Sequence, residues 1–161
     1  MKLKEPYSTI AYVILGVLLA VGINAGLGAL LGTDLPIVAV ESDSMKPTFA
    51  KGDILILQGK PNYTLTDIIV FSPSPDTTPV VHRVVAINTD GSYQTKGDAN
   101  ANQLPFEKHI PPSAVHGKVI LIVPYLGWIK IGITEFILPN AIWIAVVVIF
   151  VYLAITGLRR R

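Results

Sequence analysis

The chain has 161 residues, a formal charge of +2, 51% hydrophobic and only 15% charged residues, and no cysteine. It is long enough for one modest domain, yet too apolar for an ordinary soluble one, where about 25% of residues are charged. Without cysteine there is no disulfide framework, thiol nucleophile, zinc-thiolate site or iron–sulfur cluster, and the near-neutral balance leaves no basic footprint for nucleic acid.

The apolar excess lies at the two ends. Residues 6–33 and 136–158 carry no charge, and about 20 uncharged apolar residues span a bilayer core of roughly 30 Å. Two transmembrane helices are therefore expected, over 9–31 and 136–158. Lys2 and Lys4 before the first could also begin a cleavable signal peptide. Signal cores run only about 7–15 residues, however, so an uncleaved anchor is the expected reading. Lys2, Lys4 and Glu5 give +1 before the first span, and Arg159 to Arg161 give +3 after the second. Between them, eight basic and ten acidic residues leave −2. Positive flanks stay inside, which puts residues 1–8 and 159–161 in the cytoplasm and 32–135 across the membrane.

The intervening segment reads as short strands: Ile37 to Glu41, Ile54 to Gln58, Asp67 to Phe71, Val80 to Ile87, Tyr93 to Lys96 and Val115 to Val123. Turn clusters rich in Gly, Pro, Asn and Ser separate them, and no amphipathic helix intervenes, so a mainly β domain of barrel or sandwich type is expected. Ile54 to Leu57 is apolar on both faces and should be buried on both sides or turned to lipid. Asn62-Tyr63-Thr64 fits the acceptor pattern for N-glycosylation. Tyr125 and Trp128, just before the second apolar run, suit either β-domain core or the headgroup level of a membrane.

Three polar stretches carry chemistry. Val38-Ala-Val-Glu-Ser-Asp-Ser-Met-Lys-Pro-Thr48 is a strand end breaking at Pro47, with Ser42 and Ser44 two apart and thus on one face if the strand persists. Val80-Val-His-Arg-Val-Val85 is a strand with His82 on one face and Arg83 on the other. Lys96-Gly-Asp-Ala-Asn100 is a turn carrying Asp98. A serine hydroxyl needs a neighbouring base, and imidazole is the side chain best suited near neutral pH. His82, His109 and His116 have no tight ligand spacing, so no metal or other cofactor is expected.

In this order the stretches resemble the boxes of type I signal peptidases, the membrane-bound serine proteases that remove secretory signal peptides. Ser42, Ser44, Met45, Pro47 and Thr48 match the serine box, and Gly52-Asp53-Ile54-Leu55 the one after it. His82-Arg83-Val84-Val85 stands where the bacterial branch has lysine-arginine-valine-valine, and histidine there marks the archaeal and endoplasmic-reticulum branch. The resemblance implies a signal-peptidase or repressor-protease-like β fold, with Ser44 as nucleophile, His82 as general base and Ser42 as oxyanion donor. Lys46, two residues from Ser44, reads as a solvated charge. The third member is open. Asp98 in Gly97-Asp98-Ala99-Asn100 is the first candidate, Glu107 the alternative, and neither is the remaining case; a salt bridge from Arg83 would give Asp98 a structural role instead.

The implied partners are secretory preproteins, the lipid bilayer and, as a further candidate, the protein translocation channel. The implied location is the cell membrane in the archaeal arrangement, or the reticulum membrane with a luminal catalytic domain. Two other classes remain: a non-catalytic membrane-anchored subunit of a processing or translocation complex, and a self-cleaving repressor-type protease. The latter needs a DNA-binding domain where this chain has an apolar run.

Overall fold

A computed structural model describes residues 7–140 together with 142, 143, 146 and 150. Helix α1 (Tyr7–Leu31) precedes six strands: β1 (Ile37–Ala39), β2 (Ile54–Gln58), β3 (Ile68–Phe71), β4 (Val80–Ile87), β5 (Tyr93–Lys96) and β6 (Val115–Val123). Helix α2 (Trp128–Ile131) follows and runs into a π-helical segment, Gly132–Ile137. Within α1, Ser8–Leu31 is long and apolar enough to cross a bilayer, with mean hydropathy 2.3. None of the residues in that span is buried against the rest of the described protein. The second expected span, 136–158, lies mostly outside the described residues.

All six strands join one antiparallel sheet in the order β1-β2-β6-β3-β4-β5. The sheet is open, with β1 and β5 as edges, rather than a closed barrel or a pair of sheets. Its centre is β3, where Ile69, Val70 and Phe71 are all fully buried. Val70 enters a cluster with Val40, Met45, Phe49, Leu55 and Leu57. Ile69 and Phe71 enter another with Tyr63, Val84, Tyr93 and Ile110. Opposite faces of one strand thus hold two cores, as the period of two dictates. Of the two expectations for β2, burial on both sides is excluded, because Leu55 and Leu57 are buried while Ile54 and Ile56 are partly open.

The long loop after β5 contains two short 3-10 turns, Pro105–Lys108 and Pro112–Ala114, that the sequence pattern does not announce. Tyr125, Leu126, Trp128 and Ile129 are exposed and Ile131 is buried, so this stretch is not β-domain core. Asn62 and Thr64 are exposed on either side of the buried Tyr63.

Candidate active site

Beyond Ala39 the edge strand continues for one more pair of hydrogen bonds, Val40 N–H to the Asp53 carbonyl and Gly52 N–H to the Val40 carbonyl, both 2.9 Å. The chain then turns sharply. Lys46 N–H bonds the Asp43 carbonyl (3.1 Å) and Thr48 N–H the Met45 carbonyl (2.9 Å). Met45 and Phe49 plug this turn into the core, at 0% and 4% exposure. Burying side chains of this size contributes about 1.5–3 kcal/mol each, and the anchorage leaves Ser44 at the rim, half-buried.

His82 arrives from β4, where it pairs with Ile69 across the ladder and is 3% exposed. Its Nε2 lies 3.0 Å from the Ser44 hydroxyl. Its Nδ1 lies 2.5 Å from Oε1 of Glu107. Glu107 has no exposed surface and accepts two further hydrogen bonds, from the Thr95 hydroxyl (3.1 Å) and the Leu104 N–H (2.7 Å). The 3-10 turn at 105–108 makes this possible, because the Glu107 side chain folds back onto the backbone that opens the turn. A buried carboxylate meeting three donors is held in one orientation, so the imidazole on it is held too.

Asp98, the first sequence candidate for the carboxylate on His82, is elsewhere. Arg83 projects from the face of β4 opposite His82 and draws Asp98 to it, through Nε–Oδ1 at 2.8 Å and Nη2–Oδ2 at 2.6 Å. Thr48 donates to the same carboxylate at 2.6 Å. Hydrogen bonding to Arg83 holds Asp98 below the usual carboxylate range, against the opposing effect of partial burial, with the Thr48 bond adding to the lowering. The same bonds push Arg83 up. The result is a clamp between the Asp98 turn, β4 and the end of the serine turn, closed further by Ala99 N–H on the Ser44 carbonyl at 2.8 Å.

Ser42 lies beside the nucleophile candidate, its hydroxyl 3.2 Å from that of Ser44. Among the described residues the Ser44 backbone N–H has no acceptor, so it is available to a bound oxyanion. Lys46 points away and pairs with Asp43 at 2.8 Å on the surface. His109 and His116 sit in separate hydrogen bonds, with Ser92 and with Ser72.

Two residues of the site lack a chemical signature in the sequence. Thr95 is detectable only as a polar residue alternating with Tyr93 on the buried face of β5. Gly97 faces Ser44 and His82 so closely that a Cβ there would stand 2.8 Å from the Ser44 carbonyl oxygen and 2.9 Å from His82 Nε2. Gly52, at φ +95, similarly leaves room for the Trp128 indole. Through Gly127 N–H on the Gly52 carbonyl at 2.8 Å, it ties the exposed apolar stretch to the base of the serine turn.

A groove of about 750 Å³ leads to Ser44 and His82. One wall is β1 with Ile54, the other Val80 and Val81 of β4 with Leu104 and Phe106. An unpaired strand edge beside an apolar trough suits an extended peptide, which can add to the sheet and seat alternate side chains.

Comparison with known proteins gives a consistent result. Residues 10–96 match the family described as "Signal peptidase, peptidase S26". The chain is similar to the signal peptidase complex catalytic subunit SEC11 of Komagataella phaffii, with 34% identity over 68% of this chain and 73% of the relative. It is also similar to that of Chaetomium globosum, with 30% identity over 68% and 70% respectively, and to that of Plasmodium falciparum, with 28% identity over 78% and 72%.

Proposed function

The chain belongs to the signal peptidase family, peptidase S26, and on the premise of an enzyme of that family we propose a Ser-His mechanism at the non-cytoplasmic face of a membrane. Its substrates are preproteins whose signal peptides it removes. The observation that carries the mechanism is the unbroken line from Ser44 Oγ to His82 Nε2 (3.0 Å) and from His82 Nδ1 to Glu107 (2.5 Å).

In this reading Ser44 Oγ attacks the scissile carbonyl as His82 Nε2 accepts its proton. Glu107 holds Nδ1 protonated, so that Nε2 carries the free lone pair, and it stabilises the imidazolium that forms. The negative charge growing on the carbonyl oxygen is met by the Ser44 N–H and the Ser42 hydroxyl, donors of a kind each worth about 10²–10³ in rate. His82 then returns its proton to the departing amine, which is the new N-terminus of the mature protein. A water, deprotonated by the same imidazole, cleaves the acyl–Ser44 ester and releases the signal peptide. Asp98 has a supporting part: it fixes the serine turn against β4 through Arg83 and Thr48. The bilayer is the second partner, approached through α1 and the apolar stretch around Trp128.

The test is covalent labelling with a serine-reactive fluorophosphonate. The wild-type protein should take one label on Ser44 and Ser44→Ala none. Equal labelling of the variant would overturn the assignment.

A further inference from the structure

The link between α1 and the sheet is short and thoroughly bonded. Gly59 N–H donates to the Leu31 carbonyl at 2.9 Å, and Leu57 N–H to the Pro36 carbonyl at 3.0 Å. The Thr33 hydroxyl donates to the His116 carbonyl at 2.7 Å and accepts from Leu35 N–H at 3.1 Å. The backbones of Gly32 and Gly59 pack so tightly that a Cβ on Gly59 would overlap the Gly32 carbonyl.

A line of side chains reinforces this joint. Both oxygens of Asp34, three residues beyond the apolar span, lie 2.9 Å from His116 Nδ1 on β6. His116 Nε2 in turn lies 2.8 Å from the hydroxyl of Ser72, the residue after β3. These residue types also make hydrolase triads. Here, however, the Ser72 N–H is committed to the Ala114 carbonyl at 3.0 Å and cannot serve an oxyanion. The line instead bridges the end of the membrane helix to two strands of the catalytic sheet.

We propose that Asp34, His116 and Ser72 are positioning residues that lock the sheet to α1 and so fix which bond of a membrane-held substrate reaches Ser44. The inference rests on the signal-peptidase reading of the Ser44 site. The joint lies at the Gly59 end of β2 and the serine turn at the Asp53 end. The five residues of β2, at about 3.3 Å each, make a lever of about 17 Å. A tilt of about 11° at the joint therefore displaces the serine turn by about 3.3 Å, one residue of extended substrate. A substrate whose apolar segment sits in the bilayer presents its residues at fixed depth, so a loose joint would blur the site of cleavage. A short soluble peptide is free to slide into register and would not sense the change.

The experiment compares wild type, Asp34→Ala and His116→Ala, each reconstituted in phospholipid vesicles. The substrates are a full-length preprotein and a soluble peptide spanning the same cleavage site, and product N-termini are identified by mass spectrometry. Both variants should cut the peptide at the wild-type bond and rate. They should cut the preprotein more slowly and at additional bonds one or two residues away. Asp34 is two-thirds exposed (67%), so Asp34→Ala tests the joint even where His116→Ala folds poorly. A single wild-type N-terminus with an unchanged ratio of preprotein to peptide rates in both variants overturns the inference. So does a parallel loss of both substrates in both variants, since the cluster would then only support the fold. A wild-type protein that cleaves neither substrate refutes the peptidase reading, and the inference with it.

Discussion

Replacing Glu107 by glutamine changes no shape and isolates its charge and acceptor pattern. The three groups around the carboxylate are His82 Nδ1, the Thr95 hydroxyl and the Leu104 N–H. A glutamine offers one acceptor oxygen and one donor NH₂ to these partners: the Thr95 hydroxyl can turn to accept, His82 Nδ1 accepts only in its other tautomer, and the Leu104 N–H cannot accept at all. With its NH₂ toward Leu104, two donors collide in a site of zero exposure, at a cost of about 1–3 kcal/mol. With its NH₂ toward His82, Nδ1 must be the bare nitrogen, and Nε2 then carries the hydrogen and cannot accept the Ser44 proton. That wrong tautomer costs about 10⁴ in turnover where a triad is tight. Peptide turnover by Glu107→Gln should therefore fall by about 10²–10⁴, with little loss of folded protein by thermal unfolding. Asp98→Asn touches only the Arg83–Thr48 clamp, and its turnover should fall by less than about tenfold, with about 1–2 kcal/mol of stability lost. A dead but folded Asp98→Asn beside an active Glu107→Gln would refute the assignment of the orienting carboxylate.

Gly97→Ala would set a methyl group 2.8 Å from the Ser44 carbonyl oxygen and 2.9 Å from His82 Nε2. Displacement of either group should cost about 10²-fold in peptide turnover, while calorimetry reports a folded domain; near-wild-type turnover would contradict the close approach. Asp98 also predicts an acid-side effect, because Arg83 lowers its pKa in the folded state below that in the unfolded chain. Its contribution is present above about pH 4 and is lost as pH falls through the folded value. The stability difference between wild type and Asp98→Asn should thus be largest near pH 6 and shrink below about pH 4 in urea titrations. A difference that grows on acidification would reverse the sign.

Strand positions were legible because the apolar runs are short, β-branched and bounded by turn residues. Ile54–Gln58, Val80–Ile87, Tyr93–Lys96 and Val115–Val123 stand where the pattern puts them. The sheet order was not legible, since β6 inserts between β2 and β3 and periodicity within a strand says nothing about its neighbour. Ser44 and His82 could be singled out as candidates for nucleophile and base, each from a local box, and their 3.0 Å contact is what folding adds. The carboxylate that meets His82 was harder to read for a physical reason. Asp98 sits in a recognisable box and Glu107 in an unremarkable loop, yet the strand alternation that turns His82 inward turns Arg83 outward, and Arg83 captures Asp98. The Pro105–Lys108 turn that delivers Glu107 is specified by one proline and a side chain folding back on Leu104, signals too weak to read without the fold.

The central claim is that Ser44 and His82 together cut preproteins at one bond. The direct measurement incubates the detergent-solubilised protein with a preprotein and sequences the new N-terminus, for wild type, Ser44→Ala and His82→Ala. The account predicts a single mature N-terminus from wild type and none from either variant, with both variants folded. The same product from Ser44→Ala or His82→Ala at near-wild-type rate would contradict it.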